Sequence, residues 1–599
     1  MEKRWRIFPH DAGRIRQLEQ ATGVPPVVAQ LLISRGLCDP DAIRGFLEAK
    51  FSNLRDPESL PGVTVAAERI HEAIAAKRRI TVYGDYDADG ITASAILYRC
   101  LQTLGADVGY YVPSRFDEGY GLNSEALEKL VQRGTHLLIT VDCGIASLQE
   151  ADHARKLGLE LIITDHHEMA ERLPDAAAIV HPRLPGTNYP FGGLCGAGVA
   201  LKLAWALCQK ASNARRVTER LRNYLLTAVG LASIGTVADV VPLLDENRLI
   251  VRHGLNCLRE NPLPGVEALL QVAKLADKPQ LTSEDLAFMI APRLNAAGRL
   301  GQAQLAIELL TTDSTQRAQA LAEYIHQLND SRGSLERSIY LAAQKQAKEE
   351  FDPVHDPALV LAGHGWHVGV IGIVAGRLAD KYNRPVILIA LDQAGVKPGV
   401  GSARSACGLN LHAALKSCEH HLLGCGGHAA AAGLQISPEK IEAFRAEFVE
   451  YAASEVSDEA QIAELAIDAE APISQLTYKT VNQIEMLAPF GEGNRRPIMC
   501  ASGAKLIDKP KRIGGGQRHL SVHLEHHGTR IRGVAFGQGD WAEPLSEHDG
   551  LLDIAFQPVI NNFRGRTNVE LQLVDWKPHS ADDAGESASS RPAIDASLK

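Results

Sequence analysis

Three aspartates, Asp85, Asp87 and Asp89, stand at alternate positions in Thr81–Thr92, TVYGDYDADGIT. An apolar run precedes them, and Gly90 and a helix-like run, Ile91–Leu101, follow. Alternate residues at a strand end point to opposite sides, but a tight turn can bring Asp87 and Asp89 together. Buried carboxylates repel one another, so such a cluster needs a cation to neutralise it. Hard oxygen donors suit magnesium or manganese. The plainer use of the same residues is a helix N-cap with a solvated acidic turn.

Further metal-type residues follow along the chain. Asp142 lies in ITVDCGIAS, where Gly144 permits close backbone approach. Asp165, His166 and His167 follow an apolar run in LIITDHHE, and Asp239 interrupts another in SIGTVADVVPL. Taken singly, Asp142 and Asp239 would serve as helix N-caps, and one histidine there as a structural group. Asp-His-His beside other acidic strand ends points instead to ligation.

The elements that must position these residues form a strand–helix alternation from about Ile70 to Pro182. Strands are predicted over Ile80–Tyr83, Val108–Val112, Leu137–Val141, Leu161–Thr164 and Ala177–Val180. Helices are predicted over Ser124–Gln132 and Ser147–Leu157. That alternation implies a parallel sheet with helices on both faces, and ligands beyond the carboxyl ends of its strands. Asp85/Asp87/Asp89, Arg115, Asp142 and Asp165-His166-His167 all fall at those ends.

The chain has 599 residues, too many for one core. Its 45% hydrophobic and 22% charged residues are ordinary for a soluble protein. A net charge of −10 excludes a chain-wide basic coat but not a local basic channel. Ten cysteines without a CxxC pair suggest neither a thiolate zinc site nor a disulfide framework. With no signal core and no membrane-length apolar run, the expectation is a cytoplasmic protein.

DYDADG, VDCG, DHH and GTVADVVPL, in this order, resemble the four motifs of the DHH phosphoesterase superfamily. YVPSRFDEGYGLN, APRLNAAGRL, HGWHVGVIGIVAGRL and GGHAAAAG narrow the resemblance to the bacterial RecJ single-strand-specific DNA exonucleases. It runs from about Ile80 to near Trp576. It implies that Asp87, Asp89, Asp142, His166 and Asp239 hold two divalent ions, Mg2+ or Mn2+, with Asp142 between them. His167 is implied to touch the scissile phosphate or its attacking water, with Asp165 and Asp142 counted beside it as catalytic. Asp85 lies in the motif, as a ligand or as a neighbour of one. In the pyrophosphatase branch a histidine stands four residues before the first ligand aspartate. Tyr83 holds that position here, which favours the nuclease branch. His181, in IVHPR, replaces an asparagine of many relatives and carries no assigned role.

The fold class expected is α/β: a parallel-sheet DHH lobe and a second α/β DHH-associated lobe joined by a long helix, plus a C-terminal OB-type β-barrel. A helical lead-in over 1–60, with a helix at Val27–Arg35 and a cap at Asp39 or Asp41, precedes the DHH lobe at 61–312. A strut over 313–352 has an apolar stripe of Leu321, Ile325, Leu328, Leu335, Ile339 and Ala342, with a bend possible at Gly333. The second lobe covers 353–455, with strands Ala358–Ala362 and Val386–Ala390 and glycine-rich turns at GSARS and GCGGHAAAAG. The barrel covers 456–577, with a hairpin turn at Asn561–Gly565, and 578–599 is a disordered tail.

By resemblance, Arg115, Arg293, Asn295, Arg299, Ser402, Arg404 and His428 contact nucleotides. Lys505, Lys509, Lys511, Arg512, Arg518, Arg530, Arg532, Arg564 and Arg566 make the barrel locally basic, with Phe536, Trp541 and Phe563 as stacking candidates. His526-His527 lacks acidic company and reads as turn surface. The activity implied is 5′→3′ exonucleolytic release of mononucleotides from single-stranded DNA in recombination and repair, by a monomer. A single-strand-binding protein and a RecQ-type helicase are the candidate protein partners. A small-substrate phosphoesterase and a catalytically dead replication scaffold are the rival readings.

Overall fold

The computed structural model of the protein describes residues 3–113, 121–352, 355–456, 462–563 and 566–580. Arg115, Arg564 and most of the expected tail lie outside them. The chain forms two compact units. The larger comprises residues 50–463 with 491–493, and the smaller comprises 3–49, 464–490 and the residues from 494 onward. The chain opens on a short strand, β1 (Arg4–Ile7), whose partner comes far later in sequence.

Five parallel strands build the first sheet of the larger unit. They are β2 (Ile80–Tyr83), β3 (Val108–Tyr111), β4 (Leu137–Val141), β5 (Glu160–Thr164) and β6 (Ala178–Val180), in spatial order β3-β2-β4-β5-β6. Leu138 and Ile139 point to opposite faces of β4 and both have zero exposure, so both faces are covered. Helices Ser124–Gln132 and Leu148–Lys156 follow β3 and β4 as the periodicity requires. Helices Gly196–Ser212 and Glu219–Ala238 then pack with helix Ala88–Thr103.

Helix Thr315–Glu350 runs 36 residues, about 54 Å at 1.5 Å per residue, without interruption at Gly333. Its buried residues are Ala318, Leu321, Ala322 and Ile325 at one end, and Ile339, Ala343 and Ala347 at the other. Leu335 and Ala342, expected in one continuous stripe, are exposed. The helix packs at its two ends and carries polar groups between them, such as Arg332, which donates to Glu336 over 2.6 Å.

The second sheet has strands β7 (Leu359–His364), β8 (Val386–Leu391), β9 (Gly399–Arg404), β10 (Leu422–Gly427) and β11 (Ala431–Ile436), in order β10-β11-β9-β8-β7. Only β7 and β8 pair in parallel. GSARS and GCGGHAAAAG therefore lie largely in strands rather than turns. Glycine and alanine supply no strand propensity, so cross-strand pairing alone decides their conformation.

In the smaller unit, β12 (Glu464–Ile467) pairs in parallel with β1. The strands β13 (Ala469–Glu470), β14 (Met499–Leu506), β15 (Lys511–Ile513), β16 (His519–His526), β17 (Thr529–Ala535), β18 (Leu552–Phe563) and β19 (Arg566–Pro578) form one sheet. Pairing of β14 with both β18 and β16, and of β17 with β19, closes it into a barrel. Ile15, Leu18, Val28, Leu31 and Leu32 share a core with Val481, Leu520, Phe556 and Leu571. The N-terminal segment is thus a strand and helices built into the C-terminal unit, not a lead-in to the first lobe. His526 is also buried, with Nε2 3.1 Å from Ser502 O, and not on a turn surface.

Candidate metal centre

The carboxyl ends of β2, β4 and β5 bring the distant acids together. Asp87 caps helix Ala88–Thr103, its Oδ1 accepting from the N–H groups of Asp89 and Gly90 at 2.9 and 3.0 Å. Asp142 follows β4 in the left-handed region, φ 61°, and still donates its N–H to Thr164 O at 3.0 Å. Asp239 ends helix Glu219–Ala238 as its C-cap. The capping reading of Asp87 therefore holds together with the clustering, because one carboxylate oxygen caps while the other stays available.

Two sets of donors converge. Oxygens of Asp85, Asp87 and Asp142 lie within 4.8 Å of one another, as do donor atoms of Asp89, His166 and Asp239. His166 Nε2 lies 3.1 Å from Asp142 Oδ1, 3.6 Å from Asp239 Oδ2 and 3.9 Å from Asp89 Oδ2. Asp142 thereby joins the two sets.

Buried Asp142 Oδ1, His166 Nε2 and Asp239 Oδ2 have no hydrogen-bond partner. Buried polar atoms are ordinarily paired. Two orphan carboxylate oxygens, 3.1 and 3.6 Å from the orphan imidazole nitrogen, fit divalent cations as their missing partners. Burial, then the charges of Asp89 and Asp87, push the Asp239 carboxyl up to about 8. Burial and four neighbouring aspartates push Asp142 well above its ordinary value. Burial pulls His166 down to about 4, so its ring is neutral, the ligating form.

Asp89 also serves the fold. Its oxygens accept from Gly196 N at 2.6 Å and Ala197 N at 2.9 Å, at the positive end of helix Gly196–Ser212. Two glycines admit this packing. A Cβ on Gly196 would sit 2.6 Å from Asp142 Oδ1, and one on Gly235 would sit 2.5 Å from Asp89 Oδ1.

Asp165 has a different task. Its Oδ1 accepts from the N–H groups of His166 and His167 and from His167 Nδ1, at 2.7, 3.1 and 2.7 Å. Its Oδ2 accepts from Ile145 N at 2.9 Å. It orients the imidazole rather than facing a ligand. Burial would raise this carboxyl, but the His167 bond and charge outweigh it and hold it down to about 2. The same bond raises His167 to about 9, leaving an imidazolium at neutral pH with half its side chain exposed.

His181 and Arg183, after β6, grip the same loop. His181 Nδ1 accepts from Arg183 N at 3.0 Å, so Nε2 carries the proton and donates to His167 O at 2.9 Å. Arg183 Nη2 donates to His166 O at 2.6 Å. Sequence reasoning gave His181, Arg183, Gly196 and Gly235 no role. Only the placement of IVHPR at a strand end could have singled out the first two.

The expected nucleotide contacts divide. Arg293 is buried, its Nη1 bonded to Met289 O, and so is not presented to a strand as expected. Asn295 Oδ1 accepts from Ala88 N at 2.8 Å, which bolts helix Ala291–Arg299 to the aspartate turn. Arg299 Nη1 donates to Gly369 O at 3.0 Å, joining the first lobe to helix Val368–Tyr382. Ser402 and Arg404 share a face of β9, with Arg404 Nη1 3.1 Å from Ser402 Oγ. His428 is exposed, in the turn after β10. Arg115 lies outside the described residues.

The described family patterns match in order along the chain: DHH family, N-terminal domain, at residues 79–231, DHHA1 domain at 355–454, and RecJ OB domain at 467–575. The single-stranded-DNA-specific exonuclease RecJ of Bacillus subtilis is 37% identical over 574 residues, covering 96% of this chain and 70% of that one. The chain belongs to the RecJ family. The RecJ of Dickeya dadantii is 34% identical, covering 93% and 97% of the two chains. A crystal structure of RecJ from Thermus thermophilus in complex with Mn2+ matches with a TM-score of 0.81 at 33% identity, over 96% of this chain and 80% of that one. Its complex with Mg2+ matches at 0.74 and 32%, over 96% and 79%. The RecJ frame accounts for the β-barrel as well as for the two α/β lobes. Among the described residues no helix is long and apolar enough to cross a membrane, and the ten cysteines are free.

Proposed function

We propose that the protein is a single-stranded-DNA-specific exonuclease that hydrolyses phosphodiester bonds 5′→3′ and releases mononucleotides. One observation carries the reading: buried Asp142 Oδ1 and Asp239 Oδ2 flank His166 Nε2 at 3.1 and 3.6 Å, all three without hydrogen-bond partners, beside Asp85, Asp87 and Asp89. RecJ relatives named for this activity, and solved RecJ complexes with Mn2+ and Mg2+, support it.

Asp87 and Asp142, with Asp85 beside them, would hold one ion, and Asp89, His166 and Asp239, with Asp142 near His166, would hold the other. A bound pair of such ions lowers the barrier to attack by water on the phosphodiester and stabilises the departing oxygen. Asp165 keeps His167 Nδ1 protonated and aims the ring, so the cationic imidazole donates to a phosphate oxygen rather than acting as a base. Burial of Asp142 and Asp89 keeps competing water from the donor atoms. Ser402, Arg404, Arg299 and His428 supply donors to the strand from the second lobe and its junction.

The test is a time course on end-labelled single strands with and without a 5′-phosphate, in Mn2+, Mg2+ or EDTA. Mononucleotides released from the 5′ end by the wild type in metal, and none by Asp142→Ala, are expected. Undiminished turnover by Asp142→Ala, or turnover in EDTA, overturns the reading.

A further inference from the structure

The edge of the second sheet carries another group of metal-type side chains that the carboxylate centre does not use. The short 3-10 turn Glu419–His421 leads directly into β10. Glu447, on helix Ile441–Glu455, directs one oxygen at both neighbouring imidazoles. Its Oε2 lies 3.1 Å from His420 Nε2 and 2.8 Å from His421 Nε2. The two rings are 4.1 Å apart at their centroids. Donor atoms of all three residues fall within 4.8 Å of one another.

A carboxylate shared by two imidazoles can be a plain hydrogen-bonded surface pair. Two features favour more. Both rings present Nε2 to the same carboxylate oxygen, so three ligand-type atoms cluster without a fourth group between them. His420 is largely exposed while His421 is not, at 61% and 12% of their side chains, so the group is half-built and open on one side. Zinc bonds of about 2.0–2.2 Å in tetrahedral array place ligand atoms roughly 3.3 Å apart. Opening the 2.8 Å contact of His421 with Glu447 by about half an ångström, and the 3.1 Å contact of His420 by about 0.2 Å, provides that.

We propose that His420, His421 and Glu447 bind a borderline divalent ion of the zinc class, with water completing its coordination. Two imidazoles and one carboxylate select zinc, nickel or cobalt over magnesium, whereas the aspartate-rich centre prefers the hard ions. The consequence is local. Among the described residues β10 is an edge strand paired with β11 alone, and five of its six residues are exposed. An ion at its start fastens this glycine-rich edge to helix Ile441–Glu455. The site stands apart from the proposed nuclease activity and does not depend on it.

The test uses the full chain, stripped with EDTA and dialysed against micromolar Zn2+ in millimolar Mg2+. Zinc is counted by mass spectrometry in the wild type, His420→Ala and Glu447→Gln. Each variant should hold one zinc ion per chain fewer than the wild type, whatever the aspartate centre takes up. Zinc should also slow hydrogen exchange over residues 419–427 in the wild type and not in His420→Ala. Equal zinc counts in wild type and His420→Ala, whose exposed side chain the fold does not need, overturn the proposal. So does unchanged exchange in the wild type.

Discussion

His181 donates from Nε2 to the backbone carbonyl of His167 across 2.9 Å, with its other nitrogen accepting from Arg183 N at 3.0 Å. A fully buried, neutral imidazole thereby fixes the loop that presents two neighbouring histidines. Loss of a residue that positions ligands typically costs about 10–100-fold. His181→Ala should lower kcat by that order while leaving strand affinity in EDTA unchanged. His181→Asn, whose amide can still donate, should recover most of the loss. Equal activity in His181→Ala and wild type would remove this bond from the account.

Asp142 lies among like charges and is strongly desolvated. Asp142→Asn should therefore abolish cleavage yet raise the melting temperature in EDTA, because the repulsion it removes is not offset without a cation. The measurement is thermal unfolding of both proteins in EDTA and in Mn2+. A less stable variant in EDTA would mean that Asp142 contributes more to the fold than repulsion takes away.

Gly196 touches no substrate in this account. A Cβ there would press on Asp142, whose Cβ and Oδ1 both lie 2.6 Å from its ideal position. Gly196→Ala should cost about 1–3 kcal/mol of stability and inactivate by displacing Asp142 from the shared position. Metal affinity and turnover, measured on the folded variant, should fall together. Normal metal affinity with normal turnover would contradict the packing argument.

The pH response of the metal-free protein has a definite sign. A carboxyl whose folded-state pKa is raised adds stability that is complete below its unfolded value and is lost as pH rises through the folded one. Asp239, at about 8, and His167, at about 9, both lose stabilising protonation as pH rises from 7 to 9. His166, lowered to about 4, acts below 6.5 and not in this window. The EDTA-treated protein should melt lower at pH 9 than at pH 7. Mn2+ should reduce that fall, and Asp239→Asn should flatten it. A melting temperature that rises across the window in EDTA would run against the assignment.

Much of the centre was legible because its residues sit next to strongly patterned strands. The runs before Asp85, Asp142 and Asp165 are apolar and turn abruptly polar, and β2, β4 and β5 lie where that pattern puts them. What stayed hidden depends on contacts remote in sequence. RWRI is too short to declare itself a strand, and its partner begins at Glu464. The glycine-rich β10 and β11 have no side-chain signature and form only by pairing. Arg293 looked like a phosphate ligand by type, yet helix packing buries it against the Met289 carbonyl. The double role of Asp89, at a helix N-terminus and beside His166, needs residues 107 positions apart and could not be read from spacing.

The central claim is a two-ion cage bridged by one aspartate. Anomalous diffraction from crystals of the full chain grown in Mn2+ tests it most directly. The account predicts two peaks per chain, one against Asp85, Asp87 and Asp142, the other against Asp89, His166 and Asp239, with Asp142 contacting both. No manganese peak among these residues, or two ions that share no ligand, would contradict it.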